Sequence, residues 1–229
     1  MTTKFYEVGG CVRDSIIGVE SKDIDYAVEA PSFETMRDAI KDRDGTIFME
    51  QPEYLTIRAK VPGIGPADFV LCRKDGSYRD GRHPESVAVG TLHDDLARRD
   101  FTMNAIAKDE DGKIIDPFGG VGAIEIGIIE CVGQARMRME EDQLRLLRAI
   151  RFAVTKQMGL SNAIKECLNS CTLTGMLKDS VSVERIREEL YKAFMYDTPR
   201  TLDLLETYPR VRDAVFRSGA IRLMPTLKE

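Results

Sequence analysis

The sequence predicts an α+β chain: a mixed sheet with helices over residues 1–135, then an all-α remainder. Three observations lead there. Short β-prone runs at 5–9, 24–29, 46–49, 54–61 and 67–72 alternate with turns and short helical stretches in the first half. From Met139 onward apolar residues recur at helical spacing, with no further β-prone runs of that kind. The charge also changes sign: residues 1–133 hold 16 Lys+Arg against 25 Asp+Glu, and residues 134–229 hold 17 against 13. An acidic head followed by a basic half suits a catalytic unit joined to a nucleic-acid-touching one, or is plain compositional scatter.

Each element has a local reason. Residues 5–9 form a first strand that runs into Gly9-Gly10, and residues 11–17 form a helix that Gly18 ends. Residues 24–29 form the next strand. Ser32 is a candidate N-cap for a helix with Phe33, Met36 and Ile40 on one face. Strands over 46–49 and 54–61 follow. Pro62 to Pro66 is a turn, so 54–61 and 67–72 make a hairpin carrying Asp68 beside the 24–29 strand. Residues 73–96 read as one long polar, Gly-rich loop, a kind that is usually functional or mobile. Residues 113–120 read as a strand and exit turn. Met139–Lys156 reads as one helix, with Leu146, Leu147, Ile150, Ala153 and Val154 on its apolar side. Arg145, Arg148 and Arg151 form a basic stripe opposite. Ser182 is a candidate N-cap for a further helix, with Glu184 near its positive end.

The chemistry concentrates in residues 8–28. Asp23 and Asp25 stand two apart in a β-prone run, so on a strand both point to one face. Adjacent carboxylates repel unless a cation lies between them, and a hard divalent ion with oxygen ligands is the natural one. The Gly9-Gly10 turn offers backbone N–H groups to phosphate oxygens, and Arg13 adds a charged donor. A phosphate grip beside a metal seat suits nucleotidyl transfer. Asp68 is a candidate third carboxylate, or a chance acid on an exposed face. Further on, Arg99 can hold triphosphate oxygens and Asp100 can accept from ribose hydroxyls; the two can also share the sugar, or form a helix-start salt bridge.

Composition excludes several classes. With two histidines, His83 and His93, and no H-E-x-x-H, neither a His-rich zinc site nor Ser-His-Asp chemistry is expected. The five cysteines lack C-x-x-C spacing and read as the reduced thiols of a cytoplasmic protein. No run reaches 18 apolar residues and no apolar leader opens the chain, so no membrane association is expected. A dinucleotide fold is excluded because G-x-G-x-x-G is absent and an Asp-x-Asp follows the glycines closely.

Gly9 to Asp25 resembles the signature motif of class II tRNA nucleotidyltransferases and bacterial poly(A) polymerases, members of the polymerase-β-like nucleotidyltransferase superfamily. Tyr78–Pro84 (Y-R-D-G-R-H-P) resembles the family's flexible segment near the active site. Arg98–Ala105 (R-R-D-F-T-M-N-A) matches another family motif, and Asp116–Gly120 (D-P-F-G-G) resembles a structural one. Glu141–Arg145 (E-D-Q-L-R) is similar to the base-reading element, and Glu184–Leu190 (E-R-I-R-E-E-L) to the helix that braces the neck.

The resemblance implies a polymerase-β-like nucleotidyltransferase head over 1–135, a helical neck with the base-reading helix over 136–195, and a short helical body over 196–229. It implies addition of C and A residues to tRNA 3′ ends from CTP and ATP, with Mg²⁺. The metal would sit on Asp23 and Asp25, with Asp68 as the third catalytic acid. Nucleotide binding would fall to Gly10, Arg13, Arg99, Asp100, Asp142, Arg145, Arg148 and Arg151. Poly(A) polymerase and C-only or A-only addition remain alternatives, and so does a non-catalytic RNA-binding module. Because family members usually carry a longer tRNA-gripping body, recognition is expected to lie at the acceptor end. An Asp142–Arg145 pair on one helix can accept from the amino group and donate to the ring nitrogen of C or A. The bland alternative for that pair is an intrahelical salt bridge.

Overall fold

The computed structural model describes residues 3–21, 23–76 and 87–217. They fall into two compact units, the first ending at Ile126 and the second beginning at Gly127.

The first unit is a seven-stranded mixed sheet in the order β3-β4-β5-β2-β1-β8-β9. Its strands are β1 (Lys4–Val8), β2 (Asp25–Glu29), β3 (Thr46–Gln51), β4 (Thr56–Val61), β5 (Gly65–Leu71), β8 (Ala107–Lys108) and β9 (Ile114–Ile115). β2 and β5 run parallel; the other neighbours are antiparallel. α1 (Gly10–Ile17) leaves β1 at the Gly-Gly turn and stops at Gly18, which adopts φ 82°. α2 (Phe33–Lys41) starts at Ser32, whose Oγ accepts from Thr35 N at 3.2 Å. It lays Phe33, Met36 and Ile40 on Tyr26, Val28, Ile57, Phe69 and Leu71. Side chains alternate across a strand. Asp25 and Asp68, the neighbours of Tyr26 and Phe69, therefore lie on the sheet face opposite α2.

Two sequence expectations are corrected first. The strand begins at Asp25, not before it, so Asp23 lies outside it and no strand alternation aligns the two acids. The ends of the expected 73–96 loop are ordered: β6 (Arg73–Asp75) pairs antiparallel with β7 (Val87–Val89), and α3 (Leu92–Ala97) follows. A Thr91–Asp94 capping box starts α3, with Asp94 N donating to Thr91 Oγ1 and Thr91 N to an Asp94 carboxylate oxygen. The Tyr78–Pro84 motif lies outside the described residues. Asp116 accepts from Gly120 N and Val121 N, which caps α4 (Gly120–Glu125) and confirms the structural reading of the D-P-F-G-G turn.

Among its described residues the second unit has one short parallel pair, β10 (Ile128–Ile129) with β11 (Gly159–Leu160). Its helices are α5 (Ala135–Glu141), α6 (Leu144–Thr155), α7 (Asn162–Leu168), α8 (Cys171–Ser180), α9 (Val183–Tyr196), α10 (Thr198–Thr207) and α11 (Pro209–Arg212), with a π-helical turn over Asp213–Arg217. α6 is the centre: α5, α7, α9 and α10 all pack on it, and its predicted apolar residues are buried. Ser182 occupies the N-cap position of α9, but its side chain makes no capping bond.

The single helix expected over 139–156 is broken. Asp142 is extended, with φ −149° and ψ 105°, between α5 and α6. Its Oδ1 accepts from Leu144 N at 3.0 Å, a local bond that competes with helix continuation. The basic stripe is held in ion pairs. Arg145 is 8% exposed and donates to Glu141 Oε2 and Arg138 O. Arg151 Nε donates to buried Glu189 of α9 at 2.5 Å, and Arg148 lies 3.6 Å from the same carboxylate. Removing one partner of a buried pair leaves the others uncompensated, at about 3 kcal/mol or more. Glu189→Ala is therefore expected to lower the urea midpoint by that equivalent. An unchanged midpoint contradicts the bracing role.

Candidate active site

Strand pairing builds the site. Val8 is registered on Asp25, and Asp25 on Asp68. The end of β1, where the chain turns through Gly9 into α1, therefore lies beside one carboxylate, and the second lies on its other flank. Burial raises the pKa of Asp25 most; Arg99 opposes this, and the charges of Asp68 and Asp23 add to it. Asp23 is thus electrostatically part of the group although it precedes the strand. On the far side of Asp68, Arg58 of β4 approaches to 3.7 Å.

Two oxygen-donor side chains standing abreast, mutually repelling and partly desolvated, fit a hard divalent cation. Mg²⁺ is commonly held by one or two carboxylates, with substrate oxygens completing its shell. Among the described residues, no group of three or more His, Cys, Asp or Glu side chains stands at metal-holding distances. Of the three expected acids, Asp25 and Asp68 stand in register on adjacent strands and Asp23 precedes the first of them, without forming a three-acid cluster.

The raised pKa has a consequence for stability. The folded chain holds the Asp25 proton more tightly than the unfolded chain does. Stability therefore falls as pH rises from the ordinary carboxylate range through the raised value, and the ionised carboxylate is a net cost above it. Asp25→Asn is expected to melt above wild type at pH 7, with the gap closing below about pH 4. A variant that melts lower at pH 7 contradicts this reading.

The phosphate side is built by the turn and by residues 95–104. α1 has no side-chain cap and no acid in its first turn. Its leading amides and positive dipole end are thus open to an anion. Gly9 has φ 75°, and a Cβ there would meet Arg99 Nη1 at 2.5 Å. Gly10, the glycine singled out from sequence, has only ordinary space constraints. Arg13 is 6% exposed; its Nε and Nη2 donate to Asp14, and its Nη1 donates to Asn104 Oδ1 at 2.5 Å. Asn104 Nδ2 in turn donates to Asp100 Oδ1 at 2.9 Å, and Phe101 N donates to the same oxygen. Arg13 and Asp100 are thus joined through Asn104.

Two site-building residues escaped the sequence reading: Asp95 and Asn104. Asn104 stands inside the quoted Arg98–Ala105 motif, and Asp95 lies three residues before it. The signal was the motif, and the missing information was which member touches which. In the second unit, Asp142 Oδ2 accepts from Arg185 Nη2 of α9 at 2.8 Å. Asp142 and Arg145 are therefore not successive-turn neighbours on one helix. They are presented from a helix break, each with its own partner. Arg148 and Arg151 meet at Glu189.

A mixed sheet with an acid pair on its open face, beside an uncapped helix start, is a head of the nucleotidyltransferase kind. Residues 5–130 match the family model of the poly A polymerase head domain, more than half of the chain, and the chain belongs to that family. It is 43% identical over 194 residues to a CCA-adding enzyme of Geobacillus thermodenitrificans, a match that covers 82% of this chain and 44% of that protein. It superposes with a TM-score of 0.75 and 33% identity on the Bacillus stearothermophilus CCA-adding enzyme in complex with CTP, over 89% of this chain and 47% of that one. It also superposes, at 0.73 and 28% identity, on a tRNA nucleotidyltransferase complexed with a primer tRNA and an incoming ATP analog, over 93% of this chain and 59% of that one. The chain thus spans about half the length of the relatives it matches. Among the described residues no helix is long and apolar enough to cross a membrane.

Proposed function

We propose that this chain adds C and A residues to tRNA 3′ ends from CTP and ATP. The observation that carries the reading is the register: Asp68 beside Asp25, and Asp25 beside the strand end that opens into Gly9. Support comes from relatives whose names and bound nucleotides are of this kind. The RNA 3′-hydroxyl attacks the α-phosphate, the new phosphodiester forms, and pyrophosphate leaves.

Asp25, Asp68 and Asp23 would hold Mg²⁺, which when bound neutralises triphosphate charge and lowers the hydroxyl pKa. The open amides of α1 and the Arg99 guanidinium receive phosphate oxygens. Arg13, through Asn104, holds Asp100 and the chain around it in place for the sugar. Gly10 lets the backbone approach. In the second unit, Asp142 and Arg145 read the base edge, with Arg148 and Arg151 orienting the segment from their anchor on Glu189. By this reading residues 1–135 act as the head, 136–195 as the neck and 196–229 as the body. The cytoplasm, where tRNA is processed, is the compartment that suits the free cysteines.

The test is product length. The chain is incubated with tRNA lacking its 3′ end and with each labelled NTP singly, then with CTP and ATP together. Short C-then-A extension supports the reading. Long A runs identify a poly(A) polymerase instead, extension by one base only identifies a partial enzyme, and tRNA binding without extension identifies a binding module.

A further inference from the structure

The part of the site with no assigned role is the carboxylate at the end of α3. Asp95 is 1% exposed, so its charge must be paired where it stands. Both of its oxygens are used. Arg98 Nε and Nη2 donate to Oδ1 at 3.0 and 2.6 Å, and Arg99 Nη2 donates to Oδ2 at 3.1 Å. Arg99 Nη1 is held by Asn104 O at 3.2 Å, and the same nitrogen fills the space a Cβ would occupy on Gly9. Arg99 Nε is buried and has no hydrogen-bond partner among the described residues. The guanidinium is thus fixed on two edges and seated on the turn that leads from β1 into α1.

We propose that Asp95 is the positioning residue for Arg99, a buried anchor that sets the guanidinium against Gly9 beside the β2 carboxylate. Arg98 supplies a second positive partner for the buried Asp95 carboxylate, so Arg99 is not its only one. Without the anchor, a long and rotamer-rich side chain is left to the single carbonyl of Asn104. The need for glycine at position 9 then comes from the guanidinium as well as from any phosphate. The inference rests on the nucleotide-binding reading for its consequence and on side-chain geometry alone for the anchor.

The experiment uses the whole chain, with Asp95→Asn and Asp95→Glu made in wild-type and Arg99→Ala backgrounds. Two quantities are read: Kd for CTP and ATP by equilibrium dialysis, and the Nε–H resonance of Arg99 in arginine-labelled protein, assigned by its loss in Arg99→Ala. Asp95→Asn is expected to weaken nucleotide binding about tenfold or more, to move the Arg99 resonance and to speed its exchange. In the Arg99→Ala background the same substitution should cost no more than about twofold, because the two act as one unit. Asp95→Glu keeps the charge on a longer arm; it should move the resonance while retaining most of the affinity, and it carries the test if Asp95→Asn does not fold. Full additivity of the two substitutions, or an Arg99 resonance unmoved by either change at Asp95, overturns the proposal. Wild-type protein without affinity for CTP or ATP overturns the nucleotide reading instead, and the resonance then decides the anchor by itself.

Discussion

Asp25→Ala is expected to lower kcat for nucleotide addition by ~10³ or more, equivalent to about 4 kcal/mol of transition-state stabilisation. The expectation follows from position. Asp25 is the central member of the acid group, registered between Val8 and Asp68 and coupled electrostatically to Asp68, Asp23 and Arg99. In the proposed role, removing it would take away a metal ligand where charge develops on the transferring phosphate. RNA affinity should change little, since this carboxylate repels phosphate rather than binding it. Single-turnover incorporation with RNA binding measured in parallel checks both halves. Near-normal turnover in Mg²⁺ would remove Asp25 from the mechanism. The Asn substitution, expected to melt higher at pH 7, should be as inactive as Ala, so stability and activity would part at one residue.

The second large effect concerns base choice. Asp142→Ala is expected to reduce the preference for CTP and ATP over UTP and GTP by ~10² or more, because a site that hydrogen-bonds a base edge rejects edges that leave its polar groups unpaired. C and A place an amino donor beside a ring-nitrogen acceptor, and U and G reverse that order. The helix break adds a complication that the single-helix reading lacked. Asp142 also caps the start of α6 and pairs with Arg185. The substitution should therefore cost about 1 kcal/mol of stability in addition. Arg185→Gln separates the two: it removes the second partner and leaves the carboxylate available, so selectivity should largely persist. Incorporation from all four NTPs one at a time decides the matter. Unchanged selectivity in Asp142→Ala places base reading elsewhere.

The acids were legible in the sequence because their signals are local. Two carboxylates in a β-prone run and a hairpin carrying Asp68 are short-range patterns, and they put β2 and β5 side by side without any structure. The pairing of Asp25 with Asp68 itself was not legible, since parallel register is set by the packing of α2 against Tyr26, Val28, Phe69 and Leu71. The helix boundary at Asp142 was missed because apolar periodicity runs through it: Met139 and Leu146 are both buried, on either side of the break. Local side-chain bonding, not periodicity, stops the helix. The ion pairs of the α6 arginines were not legible for a different reason. Their partners lie far along the chain, with Glu189 38 residues from Arg151. Asp95 was overlooked beside two conspicuous arginines because it neutralises them, and only burial reveals that.

The most direct test of the central claim is a pyrophosphate balance. Wild-type protein, a tRNA lacking its 3′ end, CTP, ATP and Mg²⁺ are combined, and pyrophosphate release is followed alongside RNA length. The account expects pyrophosphate to appear in step with each added nucleotide and to cease once C, C and A have been joined to the acceptor. RNA extension that is absent while the tRNA is bound, or release that continues through long A tracts, would contradict it.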